Sequence, residues 1–256
     1  MTAPFAATPV SGVFATDDGP GKHRIGLIVL SNDYATERDF INARPGDDVS
    51  LFVTRVENTP DCTLETLPLM APHIEKAAAL LVPDGRLDVV AYACTSGTVV
   101  MGYDTICARI HAARPGVRVV TPITASLAAL DQFGADRIAV LTPYTDDVNS
   151  VIAAALIQSG KSISAFTAFG IAGNEAMAAL TTDDILRGAR EADRPDADAL
   201  FISCTAIRAL DVVDRIERMI GKPVITANQA MIWQSLRWSG CNAAVPGYGA
   251  LLRRPI

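Results

Sequence analysis

From about residue 24 onward, short apolar runs alternate with longer amphipathic ones. The short runs are rich in β-branched residues: 24–30 (RIGLIVL), 49–55 (VSLFVTR), 88–93 (DVVAYA) and 117–121 (VRVVT), then 137–142 (RIAVLT), 163–168 (ISAFTA), 198–203 (DALFIS) and 223–226 (PVIT). Runs of this length and composition predict strands. The stretches between them predict helices over about 63–82, 98–113, 125–133, 146–159, 182–193, 206–220 and 228–238. In 206–220, Ile207, Leu210, Val213, Ile216 and Ile220 recur every three or four positions, which makes one buried stripe. Gly221 and Pro223 then supply its stop. Strands alternating with helices build a mainly parallel sheet. Runs 88–93 and 198–203 are apolar without alternation, the pattern of strands covered on both faces.

The pattern repeats. RIGLIVL and RIAVLTP each open a half; DVVAYACTSGT matches DALFISCTAIR, with Cys94 and Cys204 110 residues apart; VVTPITASLAAL matches VITANQAMIWQSL, with the threonines 105 apart. Three blocks in order at a nearly constant offset indicate internal duplication. The expected fold is therefore α/β, with two pseudo-symmetric flavodoxin-like lobes, each carrying a mainly four-stranded parallel sheet, and a cleft between them. The expected division is an arm at 1–23, a first lobe from 24–116 plus 222–256 with Cys94, and a second lobe from 117–221 with Cys204. Ligands of open parallel sheets bind beyond the carboxyl ends of the strands, where both cysteines fall.

Composition narrows the function. Half of the 256 residues are hydrophobic and a fifth are charged, ample material for a packed core. A net charge of −6 and the lack of a basic stripe argue against a nucleic-acid partner, and no basic amphipathic segment points to a membrane surface. No apolar run approaches the roughly 18 residues of a membrane span. The first residues, MTAPFAATPVSGVFATDDGPGKH, have neither a basic n-region nor an apolar h-region, so a loose arm is expected rather than a secretory signal. Cys62, Cys94, Cys107, Cys204 and Cys241 form no CxxC and no metal-like grouping with His23, His73 and His111. An odd count of cysteines without a signal fits free thiols in a reducing cytoplasm, and no metal is expected.

Free cysteine is usually a small buried hydrophobe, and Cys62, Cys107 and Cys241 keep that reading. Cys94 and Cys204 differ. Each ends a strand, each is followed by small or hydroxylic residues (Thr95, Ser96, Gly97; Thr205, Ala206) and then a helical pattern, and each occupies the equivalent place in a repeated half. A thiol at a helix start has its thiolate favoured by the dipole and free N–H groups. The same groups, with the adjacent hydroxyls, cradle a carboxylate or oxyanion.

ACTSG and SCTA at this separation, with LTPYTDDVN (141–149), GIAGNEAMA (170–178) and VPGYGALL (245–252), resemble the Asp/Glu racemase superfamily, in particular its maleate cis–trans isomerase and arylmalonate decarboxylase branch. LSNDYATERDF looks most like members associated with ectoine utilisation. The resemblance spans about 24–252 and implies a cofactor-free, metal-free enzyme with one cysteine per lobe and a dimeric or larger assembly. Carried over by position, it implies Cys94 as nucleophile, adding to a double bond, and Cys204 as its acid/base partner. It places Thr95, Ser96, Tyr144, Thr205 and Ala206 around one substrate carboxylate and makes Asn174 a substrate-binding residue. The decarboxylase has glycine at the first cysteine position, so two cysteines disfavour simple decarboxylation. One departure concerns the loop after the first strand, where the isomerases carry asparagine and this chain has Asn32 followed by Asp33. An Asp33 facing the pocket would repel a second carboxylate and point to an amine or hydroxyl instead.

Plainer readings stand beside these. Tyr144 could be a loop residue covering the cleft, Asn174 an N-cap, and Thr181 with Asp184 a capping pair. SGKS at 159–162 lacks the first glycine of a phosphate loop, GYG at 247–249 follows no strand, and no GxSxG occurs. The function expected is a cofactor-independent two-cysteine isomerase of a small carboxylic acid. A racemase or epimerase of an amino or hydroxy acid linked to ectoine breakdown, and a non-catalytic small-acid binding protein, are its rivals. The enzyme readings expect Cys94 and Cys204 to ionise below the free-thiol pKa of about 8.5.

Overall fold

A computed structural model describes residues 6–17 and 19–255. Residues 1–5 of the expected arm, and residue 18, lie outside the described residues, and 6–17 carry no regular element. The first sheet comprises β1 (His23–Leu30), β2 (Val49–Val56), β3 (Val89–Tyr92) and β4 (Arg118–Val120). The second comprises β5 (Arg137–Thr142), β6 (Ser162–Ala168), β7 (Ala199–Ile202) and β8 (Val224–Thr226). Their orders are β2-β1-β3-β4 and β6-β5-β7-β8, and every pairing is parallel. The central pairs are equivalent: Ile25–Ile28 lie against Val89–Tyr92 in one sheet, and Ile138–Leu141 against Ala199–Ile202 in the other. All eight strand expectations hold within a residue or two. β3 and β7 are buried at every position, as their unbroken apolar runs require.

The helices are α1 (Thr36–Asn42), α2 (Ala71–Ala79), α3 (Thr95–Met101), α4 (Tyr103–Ala113), α5 (Pro122–Gln132), α6 (Asp146–Gln158), α7 (Asn174–Ala179), α8 (Thr182–Ala192), α9 (Val213–Ile220) and α10 (Ala227–Trp238). Three expected helices are broken up. The one expected over 98–113 is two, because Gly102 adopts φ +85°, a left-handed turn open to glycine. The one over 63–82 begins as a 3-10 turn at Leu67–Met70, and the one over 206–220 has a 3-10 turn at Ala209–Val212 before α9. Ile207, Leu210, Val213 and Ile216 are buried all the same, and Gly221 ends α9 in the left-handed region as expected. The capping pair at Thr181 and Asp184 forms. Helix α1 was not expected; it is short, and its charged residues hide its periodicity.

The lobe boundaries expected at 117 and 221 need correction at sheet level. β4 closes the first sheet and β8 the second. The helices that follow those strands, α5 and α10, pack on each other, and α10 also touches β1, β3, β4 and β8. Every residue from Ala227 to Arg237 is buried, so α10 is covered on all sides. The VPGYGALL segment serves this centre. Gln229 Nε2 donates to the Tyr248 carbonyl, Asp214 and Glu217 accept from Gly249 and Ala250 N–H, and the Arg237 guanidinium donates to the carbonyls of Cys241, Ala243, Leu252 and Arg254.

Candidate active site

The carboxyl ends of β1, β3, β5 and β7 bring Asn32, Cys94, Tyr144 and Cys204 to one cleft, the position the parallel-sheet rule predicts. It holds about 480 Å³ of atom-free space, part of it open solvent at the mouth, and Asp33, Thr95, Ser96, Asn174, Thr205 and Ala206 complete its expected lining. All ten residues singled out from the sequence therefore meet there.

The two thiols are held differently. Cys94 is the N-cap of α3, and its Sγ accepts the Gly97 N–H at 3.2 Å. A Cβ on Gly97 would lie 2.8 Å from that sulfur and 2.9 Å from Met70 Cε, so only glycine lets the helix close on the thiol. Cys204 precedes no α-helix, and the expectation that it sits at a helix start is corrected. Its φ is +97°, a backbone that costs a non-glycine residue about 1–3 kcal/mol. Its Sγ accepts from Ala206 N–H at 3.3 Å and touches Met177 Sδ at 4.0 Å, and the nearby Tyr144 hydroxyl favours its thiolate. Thr205 Oγ1 donates to the Ala93 carbonyl at 3.3 Å, tying the residue after one cysteine to the residue before the other.

The expected low thiol pKa is also corrected. Cys94 is 4% and Cys204 6% exposed. Burial pushes each up to about 12; for Cys94 the nearby Cys62 adds to this, and the bonds from Gly97 and Ser96, or from Tyr144 and Ala206, offset only part. At Cys94 desolvation outweighs the helix start, and at Cys204 it outweighs the bonds around the sulfur, so burial favours the neutral thiol at both.

Around them, Thr95 Oγ1 is buried with no hydrogen-bond partner, an idle group of the kind that calls for a ligand. Tyr144 is 2% exposed and is more than a cover: Asn149 Nδ2 pins its carbonyl at 2.9 Å. Asn174 is the first residue of α7, whose N-cap is Gly173, so the capping alternative fails. Its Nδ2 and backbone N–H both donate to the Pro60 carbonyl. In the loop after β1, Asn32 and Asp33 both line the cleft but have different partners. Asp33 Oδ1 accepts the Ala35 and Thr36 N–H groups at 3.0 and 2.7 Å, and Oδ2 accepts the Thr36 hydroxyl at 2.6 Å. Burial holds its carboxyl above the usual range despite these donors. Asn32 Oδ1 accepts from Asn58 Nδ2, which leaves its own amide N–H groups as the donors of this loop.

Cys62 is buried in the core as expected, but it also lines the cleft, which the sequence reading missed. It is 5% exposed, with its Sγ 3.3 Å from Ser96 Oγ, which is in turn 3.9 Å from Cys94 Sγ. Its signal was position: it lies in the loop beyond the carboxyl end of β2. That loop is joined to the second lobe by Cys62 N–H to the Ala172 carbonyl and an antiparallel bridge from Asp61 to Gly173. None of the three histidines lines the cleft. Among the described residues, no group of three His, Cys, Asp or Glu could hold a metal ion, and no helix is long and apolar enough to cross a membrane.

A family model described as arylmalonate decarboxylase matches residues 69–252. The chain belongs to that family. Within the family's wider circle, it is 28% identical to a maleate isomerase of Nocardia farcinica over 91% of this chain and 97% of that one. It is 38% identical to an arylmalonate decarboxylase of Bordetella bronchiseptica over 53% and 58%. A solved structure of the Nocardia farcinica maleate cis–trans isomerase, a cysteine-to-serine mutant with a covalently bound succinylcysteine intermediate, superposes with a TM-score of 0.82. It is 27% identical, covering 90% of this chain and 98% of that one.

Proposed function

We propose that this protein is a cofactor-independent cis–trans isomerase of a small dicarboxylate, of the maleate type. The observation that carries the reading is the presence of Cys94 and Cys204 in one cleft with an unpartnered buried Thr95 hydroxyl. The succinylcysteine intermediate of the Nocardia farcinica relative supports the covalent route.

The steps balance without an added reagent. Cys94 ionises while the cleft is open to water, because the closed cleft favours the neutral thiol. The thiolate bonds to one alkene carbon, and the π pair moves to the neighbouring carbon and its carboxylate. Thr95, Ser96 and Tyr144, with the backbone at Thr205 and Ala206, stabilise the charge that develops there. Cys204 gives its S–H proton to that carbon, leaving a succinyl thioether on Cys94. The former double bond is now single and rotates. Cys204 takes the proton back, the carbon–sulfur bond breaks, and the trans acid leaves. The far carboxylate meets amide N–H from Asn32 and Asn174 rather than a free carboxylate, since both Asp33 oxygens are already occupied. The donors at Ala35 and Thr36 take up part of the Asp33 charge, which supports a second carboxylate at this end.

Incubation with maleate in deuterated water, followed by NMR, tests the reading. Fumarate should accumulate, with deuterium entering to the extent that the Cys204 proton exchanges. Exchange of an α-hydrogen in an amino or hydroxy acid with no alkene formed would sink the isomerase reading in favour of a racemase. Binding without either reaction would favour a binding protein. Alkylation rate does not separate enzyme from binding protein, because burial slows both thiols under either reading.

A further inference from the structure

Next to Cys204, but outside the cleft lining, lies a buried polar cluster that the reaction scheme does not use. Asp39 of α1 has no exposed surface, and Asn228 of α10 is 3% exposed. One Asn228 Nδ2 hydrogen goes to Asp39 Oδ2 at 2.8 Å, the other to the Thr205 carbonyl at 3.0 Å. Its Oδ1 has no partner. A buried amide with an idle oxygen is costly, so the two N–H bonds fix its orientation; turned over, its oxygen would face a carboxylate and a carbonyl. Arg38 Nη2 donates to Asp39 Oδ1 at 2.8 Å and to Asp211 Oδ1 at 2.6 Å.

The Thr205 carbonyl belongs to the residue immediately after Cys204. Cysteine has no steric preference for φ +97°, so surrounding bonds must hold it there. Thr36 Oγ1 also approaches this carbonyl, at 3.4 Å, but its proton goes to Asp33 at 2.6 Å. Asn228 is therefore the firm donor. On its other side Thr205 is tied to Ala93, the neighbour of Cys94.

We infer that Asp39 and Asn228 are positioning residues: Asp39 orients the Asn228 amide, which pins the Thr205 carbonyl and so holds Cys204 in its left-handed backbone beside Cys94. The inference rests on Cys204 being a reacting thiol. The groups facing Asp39 are Arg38 on its own helix, Asp211 from the 3-10 turn before α9, and the neutral Asn228 amide from α10. Burial raises the Asp39 pKa to about 6, with Asp211 adding to it and the bonds from Asn228 and Arg38 opposing it. The pin therefore weakens as pH falls through that value, when the carboxylate loses the charge that attracts its two donors.

The test uses the full chain labelled at the cysteine 13Cβ, with resonances assigned by single cysteine-to-serine changes. In the unsubstituted protein, the Cys204 resonance should titrate with a midpoint near pH 6 while Cys94 stays flat. Asp39→Asn should remove that titration, hold the Cys204 resonance near its low-pH position at every pH, and lower kcat at pH 8 in the same direction as Asn228→Ala. Asn228→Ala should shift the Cys204 resonance alone and lower kcat on maleate about 10–100-fold with KM within about twofold. A flat Cys204 resonance, or Cys94 and Cys204 moving together, overturns the inference, and the first requires no variant to fold. If maleate is not turned over at all, the isomerase reading fails while the resonances still decide the positioning role.

Discussion

The two cysteine ends of this molecule have nearly the same sequence and the same place in their sheets, yet different local structure. After β3 the chain turns straight into α3, and Cys94 is its N-cap. After β7 it makes no α-helix until Val213, and Cys204 is held in a strained backbone by bonds from its surroundings. The lesson is that duplication conserved the position of the thiol but not the means of holding it. A capped thiol is fixed by its own helix; a thiol at φ +97° is fixed through its neighbour Thr205, which Asn228 of α10 and Ala93 beside Cys94 both hold. That asymmetry suits an asymmetric task, in which one sulfur bonds to carbon and the other moves a proton.

Replacing each cysteine by serine gives the largest expected separation of the two ends. Cys94→Ser should lower turnover of maleate by about 10³-fold or more and form no adduct, because the poorer nucleophile cannot open the double bond. Cys204→Ser should lose turnover comparably but trap one maleate on Cys94, seen as a mass increase of one substrate. Adducts on both variants, or on neither, would undo the division of roles.

Tyr144→Phe comes next. It removes the hydroxyl that favours the Cys204 thiolate and leaves the cap on Cys94 intact, so kcat should fall about 10–100-fold while adduct formation on Cys94 persists in rapid-quench mass spectra. Equal loss of both steps would show that Tyr144 serves the two thiols alike.

Stability distinguishes the ends by a smaller amount. Glycine relieves the strain at Cys204 but removes a cap at Cys94. Cys204→Gly should therefore cost less than Cys94→Gly, by about 1–2 kcal/mol in denaturant unfolding. Equal costs would mean that the positive φ at Cys204 carries no strain.

The smallest effect is alkaline. Each thiol has its folded-state pKa raised from 9.0 to about 12. A raised pKa gives a stabilising contribution that is complete below pH 9 and is lost as pH rises towards 12, because the unfolded chain ionises first. Each thiol should account for about 1 kcal/mol of the stability lost between pH 9 and 10, so thermal melts of either serine variant should fall less steeply there. An unchanged slope in both variants would mean that the thiols ionise as freely folded as unfolded.

Much of this was written in the order of residues. The eight strands, the duplication and the strand-end position of both thiols follow from hydrophobic period and spacing, which act locally. DVVAYA and DALFIS read as strands covered on both faces, and β3 and β7 within them are buried at every position; AYACTSGT already contains a cap and a glycine that lets a helix close on the sulfur. What tertiary structure alone decided lies where distant segments meet. Cys62 enters the cleft because a loop beyond β2 is hydrogen-bonded to Ala172 of the other lobe. Asp33 is spent on α1 and Asn32 is turned by Asn58, a choice that adjacent residues in one loop cannot announce. Burial favours the neutral thiol because it outweighs the helix start at Cys94 and the bonds around the sulfur at Cys204, and Cys204 keeps its strained backbone while Asn228, from α10, donates to the Thr205 carbonyl. Local pattern determines which elements form and where their ends lie. Desolvation and backbone strain depend on what is packed around a residue, so only the assembled lobes could set them.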